Sequence, residues 1–297
     1  MRRTLVIASH TFREAVAQPV YLLVLALGAA VCLVLGFLPF FTIGEDTKMY
    51  VDVCRDTILL LVLLATLFAT SSTIYDEIES RTMLTLMSKP VGRLSVLGGK
   101  YLGVVAAALL AFVALGGVLA VSTYLRVPGD YALNPDTTDD RQYRQIVDTR
   151  LMHLAGIGVE MLLGWMQVAV LAAVSVAVST RLSLVVNLPL MVLLYVAGNL
   201  TRFVSVAAEG GGVVGRSLAW VLETALPFLG VFDLRSLTIH RPIGLPGTRF
   251  AGDPLATPVS TLVAEVSLAG LYAGLFVAAA LAAGLILFRG RELGGDA

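Results

Sequence analysis

Six stretches of the chain are apolar and close to the length that crosses a membrane. A helix rises about 1.5 Å per residue, so about 20 apolar residues cross a hydrocarbon core of roughly 30 Å. Each stretch holds at most one charged residue; they comprise residues 20–41, 57–75, 101–124, 154–179, 182–200 and 261–288. The pattern predicts an all-α polytopic membrane protein with six transmembrane helices. Only a short interval around Arg181 separates the fourth stretch from the fifth, which predicts a tight helical hairpin.

Two further segments have an amphipathic pattern. Before Pro19, apolar residues recur at helical spacing and predict an N-terminal interfacial helix; an ordinary soluble lead-in is the alternative. Residues 213–234 place apolar residues on one helical face and charged residues on another, and Pro227 interrupts them. We expect an outer interfacial helix before the sixth span. If this segment crossed the membrane, it would be a seventh span and would move the C-terminus to the other side.

Composition supports a membrane protein. Hydrophobic residues make up 57% of the chain and charged residues only 14%, against roughly 25% charged in soluble domains. The formal net charge of zero argues against a nucleic-acid partner. Cys32 and Cys54 match no metal-site spacing, and we expect two buried thiols, with a disulfide as the alternative. Residues 1–297 are predicted to form one transmembrane domain, with no metal or cofactor.

The basic residues indicate an orientation in the cell membrane. The tail before the first span, residues 76–100, Arg181 and the end of the chain lie on one side of a six-span arrangement. That side holds 10 Lys and Arg in about 58 residues, and the other side holds 11 in about 103. The bias predicts that both termini are cytoplasmic.

The loop between the second and third spans, residues 76–100, has the most specific sequence. The acidic residues at its start suit a helix N-terminus, and Pro90 ends the stretch of helix-forming residues. Arg93 then precedes a second helix that continues into the third span. Physical reasoning alone allows a coupling element between two rigid spans or a solvated loop with positive-inside charges.

This loop resembles the signature of type-2 ATP-binding cassette (ABC) permeases. The nearest branch is the bacterial permeases described for multi-copper enzyme maturation. Arg81 stands where many members of the wider class have Gly. The residues that carry the resemblance are Glu77, Glu79, Thr82, Pro90, Val91, Arg93, Gly99, Lys100 and Tyr101.

The resemblance implies a permease subunit without a catalytic site, driven by a separate ABC ATPase subunit and paired with a second permease subunit, identical or different. It implies that the loop contains a cytoplasmic coupling helix that docks on the ATPase, with Arg181 as a second contact. The expected coupling residues are Glu77, Glu79, Arg81, Thr82, Lys89, Pro90, Val91, Arg93, Lys100 and Arg181.

Polar residues inside the spans are candidates for a translocation path, because burying them in lipid is costly. They are Glu160, Gln167, Asn187 and Glu265. For Glu160 the alternatives are a structural pair with Arg202 or Arg55, or exposure at the outer interface. The pairs Gly99 with Gly103 and Gly116 with Gly117 predict close helix packing.

Two other function classes are alternatives to the permease. A secondary transporter or channel would need no ATPase, but the internal repeat typical of many transporters is not apparent. A scaffold that assembles a membrane complex is the second alternative. Gly98-Gly99-Lys100 lacks the other residues of a P-loop, so a nucleotide site on this chain is not expected.

Overall fold

The protein is a bundle of long helices. The computed structural model describes residues 2–38, 46–73, 92–131, 133, 139–208 and 227–289. Within them the helices are α1 (Arg2–Ala17), α2 (Pro19–Phe37), α3 (Asp46–Ser71), α4 (Arg93–Asp130), α5 (Asp140–Ser179), α6 (Leu184–Ala208), the short α7 (Arg235–Thr238) and α8 (Val259–Arg289).

Five of these helices, α2, α3, α4, α5 and α8, are long and apolar enough to cross a membrane. The apolar part of α6, Leu184–Leu200, is shorter. Helix α5 is central, because α3, α4, α6 and α8 all pack on it, whereas most of α8 faces outward. The chain is therefore a largely helical, multi-pass membrane protein.

The bundle has two ends. At the loop end lie the end of α3, the start of α4 and the turn at residues 180–183. That turn joins α5 to α6, which confirms the predicted hairpin. At the opposite end, residues 227–258 form a small cap, and we call this the cap end. The cap contains a 3-10 helix (Leu229–Phe232), α7, and two short parallel strands, β1 (Ile243–Gly244) and β2 (Thr257–Pro258).

Two helices are longer than the apolar stretches that predicted them. Helix α4 begins at Arg93, so the segment before the third span is continuous with it, as expected. Helix α5 begins at Asp140 rather than near residue 154. Asp139 caps it by accepting a hydrogen bond from the Arg141 amide at 3.0 Å. The extra turns are polar on one side only, since Ile146 and Met152 are buried.

Glycines permit close helix contacts at the predicted positions. A Cβ at Gly99 would lie 2.9 Å from the Ile7 side chain, and one at Gly103 would lie 2.6 Å from the Ala8 carbonyl oxygen. Helix α1 therefore lies directly against α4. A Cβ at Gly116 would meet Met161 of α5 at 2.8 Å, whereas one at Gly117 would meet nothing within 4 Å.

Most of the amphipathic segment 213–234 lies outside the described residues. Its last part is not an α-helix, because residues 227–234 consist of the 3-10 helix and irregular chain on either side of it. The two cysteines are free thiols and both are fully buried.

Candidate functional site

Most of the predicted coupling residues lie outside the described residues. These are Glu77, Glu79, Arg81, Thr82, Lys89, Pro90 and Val91, for which the coupling role stays a prediction. The structure describes the two ends of their loop, at Thr73 and Gly92, and the backbone of Arg93 at the start of α4.

A buried lysine ties the two ends of this loop together. Lys100 is only 2% exposed, and its ammonium group donates a hydrogen bond to the carbonyl oxygen of Thr73, just after α3. Beside it, the Gln18 amide donates to the Ser72 hydroxyl at 3.1 Å. The coupling role that the resemblance implies for Lys100 stays a prediction. The structure shows that Lys100 makes an internal contact that joins α3 to α4.

Arg181 lies at the same end and is exposed. Its Nε and Nη2 atoms donate to the Leu287 carbonyl oxygen at 3.2 and 3.0 Å. The hairpin turn is thereby held to the end of α8. Since cationic groups stabilise helix C-termini, this contact also satisfies a terminal carbonyl of α8.

Glu160 lies at the centre of a buried ionic cluster. Its side chain is fully buried, and Oε2 is 3.1 Å from Nε of Arg55, on α3. The Thr238 hydroxyl, on the cap, donates to Glu160 Oε1 at 2.6 Å. Among the described residues, Arg55 Nε and Glu160 Oε2 have no well-aligned hydrogen-bond partner, so their attraction is chiefly Coulombic. The structure thus gives Glu160 a partner proposed from sequence, Arg55.

The cluster continues toward the surface. Arg55 Nη1 lies 2.9 Å from Asp56 Oδ1, and Arg235 of the cap lies 3.0 Å from Asp56 Oδ2. Arg235 also pairs with Asp233 at 2.8 Å. Burial raises the pKa of Asp233, but the hydrogen bonds and charge of Arg235 outweigh burial and hold this pKa below its ordinary value. Reciprocally, the hydrogen bonds to Asp233 raise the pKa of Arg235.

A second set of contacts joins the cap to α3 nearby. His240 Nε2 lies 3.5 Å from Asp52 Oδ2, and the Lys48 ammonium donates to the His240 carbonyl oxygen at 3.2 Å. Together, the two sets place four carboxylates of α3, α5 and the cap near two guanidinium groups. The carboxylates are those of Asp52, Asp56, Glu160 and Asp233, and the guanidinium groups are those of Arg55 and Arg235.

Asn187 forms a neutral polar cluster at the loop end. Its amide nitrogen lies 2.6 Å from the Ser71 hydroxyl, 2.8 Å from that of Ser175 and 2.9 Å from that of Ser179. The amide and the three hydroxyls are all fully buried. The cluster holds α3, α5 and α6 together, near the turn that joins α5 to α6.

The other predicted path residues are dispersed. Gln167 is buried on α5, seven residues after Glu160 and therefore on the same helical face. His153, seven residues before Glu160, is hydrogen-bonded to the Tyr131 hydroxyl at 3.0 Å. Glu265 is half-buried near the start of α8, away from both clusters. The structure therefore brings Glu160 and Asn187 to two ends of the interface between α3, α5 and α6.

Sequence reasoning missed the cap residues of the ionic cluster, Thr238 and Arg235. Residues 235–240 form a short, mainly polar stretch without the spacing of a helix or a strand. Nothing in their local sequence therefore indicates a contact with Glu160. The serines of the neutral cluster had a signal, since Ser175 and Ser179 are four residues apart and lie on one face of an apolar helix.

The described residues contain no group of three or more His, Cys, Asp and Glu side chains placed to hold a metal ion. No model of a known protein family matches the chain, and no curated protein is significantly similar to it. The functional argument therefore depends on the loop sequence and on the geometry of the two ends of the bundle.

Proposed function

We propose that this protein is the membrane-spanning subunit of an ABC transporter, which couples ATP hydrolysis on a separate ATPase subunit to translocation of a substrate. The coupling element is the loop at residues 76–100, on the cytoplasmic side. The subunit works with a second permease subunit and has no catalytic site of its own. We count α6 as a span in addition to the five longer helices, which gives six spans with both termini cytoplasmic.

The observation that supports this proposal best is the way the loop joins the bundle. Lys100 ties the start of α4 to the end of α3, so a force on the loop acts on both helices together. A flexible surface loop would need no buried lysine between its ends, because burying an ammonium group is costly unless it is well paired. This geometry suits an element that transmits movement.

Helices α1 and α4 extend the same mechanical unit. The close contacts at Gly99 and Gly103 leave no gap between them, so α1 moves with the first turns of α4. Helix α4, which is 38 residues long in total, extends from there to the cap end. Movement at the loop would therefore be carried along α3 and α4 through the bundle.

The translocation path is proposed at the interface of α3, α5 and α6. It carries the polar side chains that membrane helices otherwise avoid, with Glu160 near one end, Asn187 at the other and Gln167 on the connecting face of α5. All three side chains are buried, which corresponds to a closed state.

Crosslinking to a copurified ATPase tests the proposal. We would replace Glu79 by Cys in the full-length chain, attach a crosslinker and purify the protein in mild detergent from its own host. A covalent adduct with a nucleotide-binding subunit is expected. The matched control is Leu255→Cys, which is 76% exposed on the cap at the opposite end and should give no such adduct.

Failure to recover any ATPase from Glu79→Cys, with or without crosslinking, would contradict the proposal. Equal adducts from both positions would also contradict it, because the ATPase would then not be docked at the loop. Labelling with an impermeant maleimide on intact cells checks the orientation: Leu255→Cys should react and Glu79→Cys should not.

A further inference from the structure

Residues 227–240, which we call the gate segment, insert two short helical turns and the irregular chain around them into the cap end of the bundle. Leu229 and Phe232 are fully buried. A Cβ at Gly198 of α6 would lie 2.8 Å from the Pro227 carbonyl oxygen, and one at Gly156 of α5 would lie 2.6 Å from that of Thr238. Both ends of the segment are therefore seated against a helix at a glycine.

The segment lies near the boundary of the hydrocarbon core. Glu160 is 19 residues from Ser179 at the loop end of α5, a rise of about 29 Å. Arg55 is 16 residues from Ser71 at the loop end of α3, about 24 Å. With a core of roughly 30 Å, both charged groups lie close to its cap-end edge. Irregular backbone at such depth occurs where protein covers it or where it lines a cavity.

The segment is held by polar contacts with α3 and α5. Thr238 donates to Glu160, and Arg55 Nη2 donates to the Phe232 carbonyl oxygen at 3.4 Å. Arg235 bridges to Asp56. Arg55 thus contacts both Glu160 and the gate segment, and it is carried by the helix whose other end is tied to the loop through Lys100.

Stability alone does not require this chemistry. A buried ion pair can often be replaced by apolar residues without loss of stability, whereas removing one partner is strongly unfavourable. The ionic cluster therefore makes the closed position sensitive to the relative placement of α3 and α5. A shift of α3 that separates Arg55 from Glu160 would leave Glu160 buried without its countercharge and weaken the seat of the gate segment.

We propose that residues 227–240 are a gate over the cap end of the path, and that Glu160, paired with Arg55 and bonded to Thr238, is its latch. Movement of α3 releases the latch and lets the segment leave its seat between α5 and α6. This inference rests on the proposed transport function, because a gate implies passage. It adds the residues that close the path and the helix that opens it.

The test measures how often a buried position of the gate segment becomes accessible. Leu229→Cys is introduced into the full-length chain with Cys32→Ala and Cys54→Ala, and its rate of reaction with a small water-soluble maleimide is measured in detergent. The rate should be low with an intact latch. Thr238→Val and Glu160→Gln should each raise it about tenfold or more, because each removes or weakens a bond to a buried charge.

Thr248→Val is the matched control, since the Thr248 hydroxyl donates only to the Leu245 carbonyl oxygen within the cap. It should leave the labelling rate unchanged. Backbone hydrogen exchange, with native cysteines and Leu229 retained, gives a second measurement. In Thr238→Val, exchange should increase in residues 227–240 and stay unchanged in β1 and β2.

The proposal is overturned if neither latch variant changes labelling or exchange. It is also overturned if Thr248→Val has as large an effect, since the cap would then loosen as a whole. If one latch variant fails to fold, the other is used in its place. In the unsubstituted protein, the proposal also requires that backbone hydrogen exchange is faster in residues 227–240 than in the adjoining turns of α5. None of these outcomes depends on the ATPase, so failure of the gate and failure of the transporter assignment are distinguishable.

Discussion

The interface between α3, α5 and α6 is closed differently at its two ends. At the loop end, Asn187 and three serines form a neutral cluster whose members all belong to helices. At the cap end, Arg55 and Glu160 form a charged cluster completed by Thr238 from a segment of two short helical turns joined by irregular chain. Both clusters are buried, but they differ in charge and in the kind of backbone that they hold.

If the proposed gate is correct, the difference separates an end that stays closed from an end that opens. A neutral amide with hydroxyl partners is inexpensive to bury, and each serine can still bond to its own helix when the amide is lost. Glu160 has no such alternative, because its countercharge, Arg55, lies on another helix. The neutral cluster therefore keeps the helices in register, and the charged cluster makes the cap end responsive to their movement.

Breaking the charged cluster should have the largest effect. Arg55→Met leaves Glu160 buried without its countercharge, and we expect a loss of stability of about 3–5 kcal/mol. Thermal unfolding in detergent measures it. The double variant Arg55→Met with Glu160→Leu should recover most of the loss, because it removes both charges. A single variant that is as stable as the parent would refute the ionic interpretation.

A packing substitution at the loop end should have the next largest effect. In Gly103→Ala the new methyl group would collide with the backbone of α1, at a cost of about 1–3 kcal/mol. Gly117→Ala on the same helix is the control, since its methyl group meets open space and should cost nothing. Equal melting temperatures for the two variants would show that α1 is not held against α4.

Asn187→Leu should have a smaller effect than Arg55→Met. The expected loss is about 1–2 kcal/mol, typical of a polar contact between membrane helices. Asn199→Leu is the control, because within the described part of the chain the Asn199 amide bonds to the Tyr195 carbonyl oxygen of its own helix. If Asn187→Leu cost as much as Arg55→Met, the contrast between the neutral and the charged end would be lost.

The smallest effect should be a pH dependence at the cap. Arg235 holds the pKa of Asp233 below its ordinary value of 3.8, so the folded state favours the ionised carboxylate. The resulting stabilisation is present above pH 3.8 and is lost as the pH falls through the lower folded-state pKa. Melting temperatures of the parent and Asp233→Asn should therefore converge under acid conditions. A difference that grows on acidification would contradict this sign.

Much of the bundle follows from the pattern of apolar residues. The stretches at residues 20–41 and 261–288 correspond closely to α2 and α8, because long uncharged runs have few alternatives to a helix in a membrane. The start of α5 could not be predicted from the apolar pattern, since its first turns are amphipathic and are stabilised by contact with the cap. The coupling residues from Glu77 to Val91 stay a prediction.

The sequence by itself determined a helical membrane protein, a hairpin at Arg181, close contacts at Gly99 and Gly103, and the presence of a charged residue, Glu160, within a span. These features depend on local composition and on the cost of placing polar groups in lipid. Only the tertiary structure decided that Arg55 is the partner of Glu160, that Thr238 completes the pair, and that Lys100 points inward. Those contacts join residues up to 105 positions apart, as between Arg55 and Glu160. Which of several allowed partners a charge meets is set by how the helices pack.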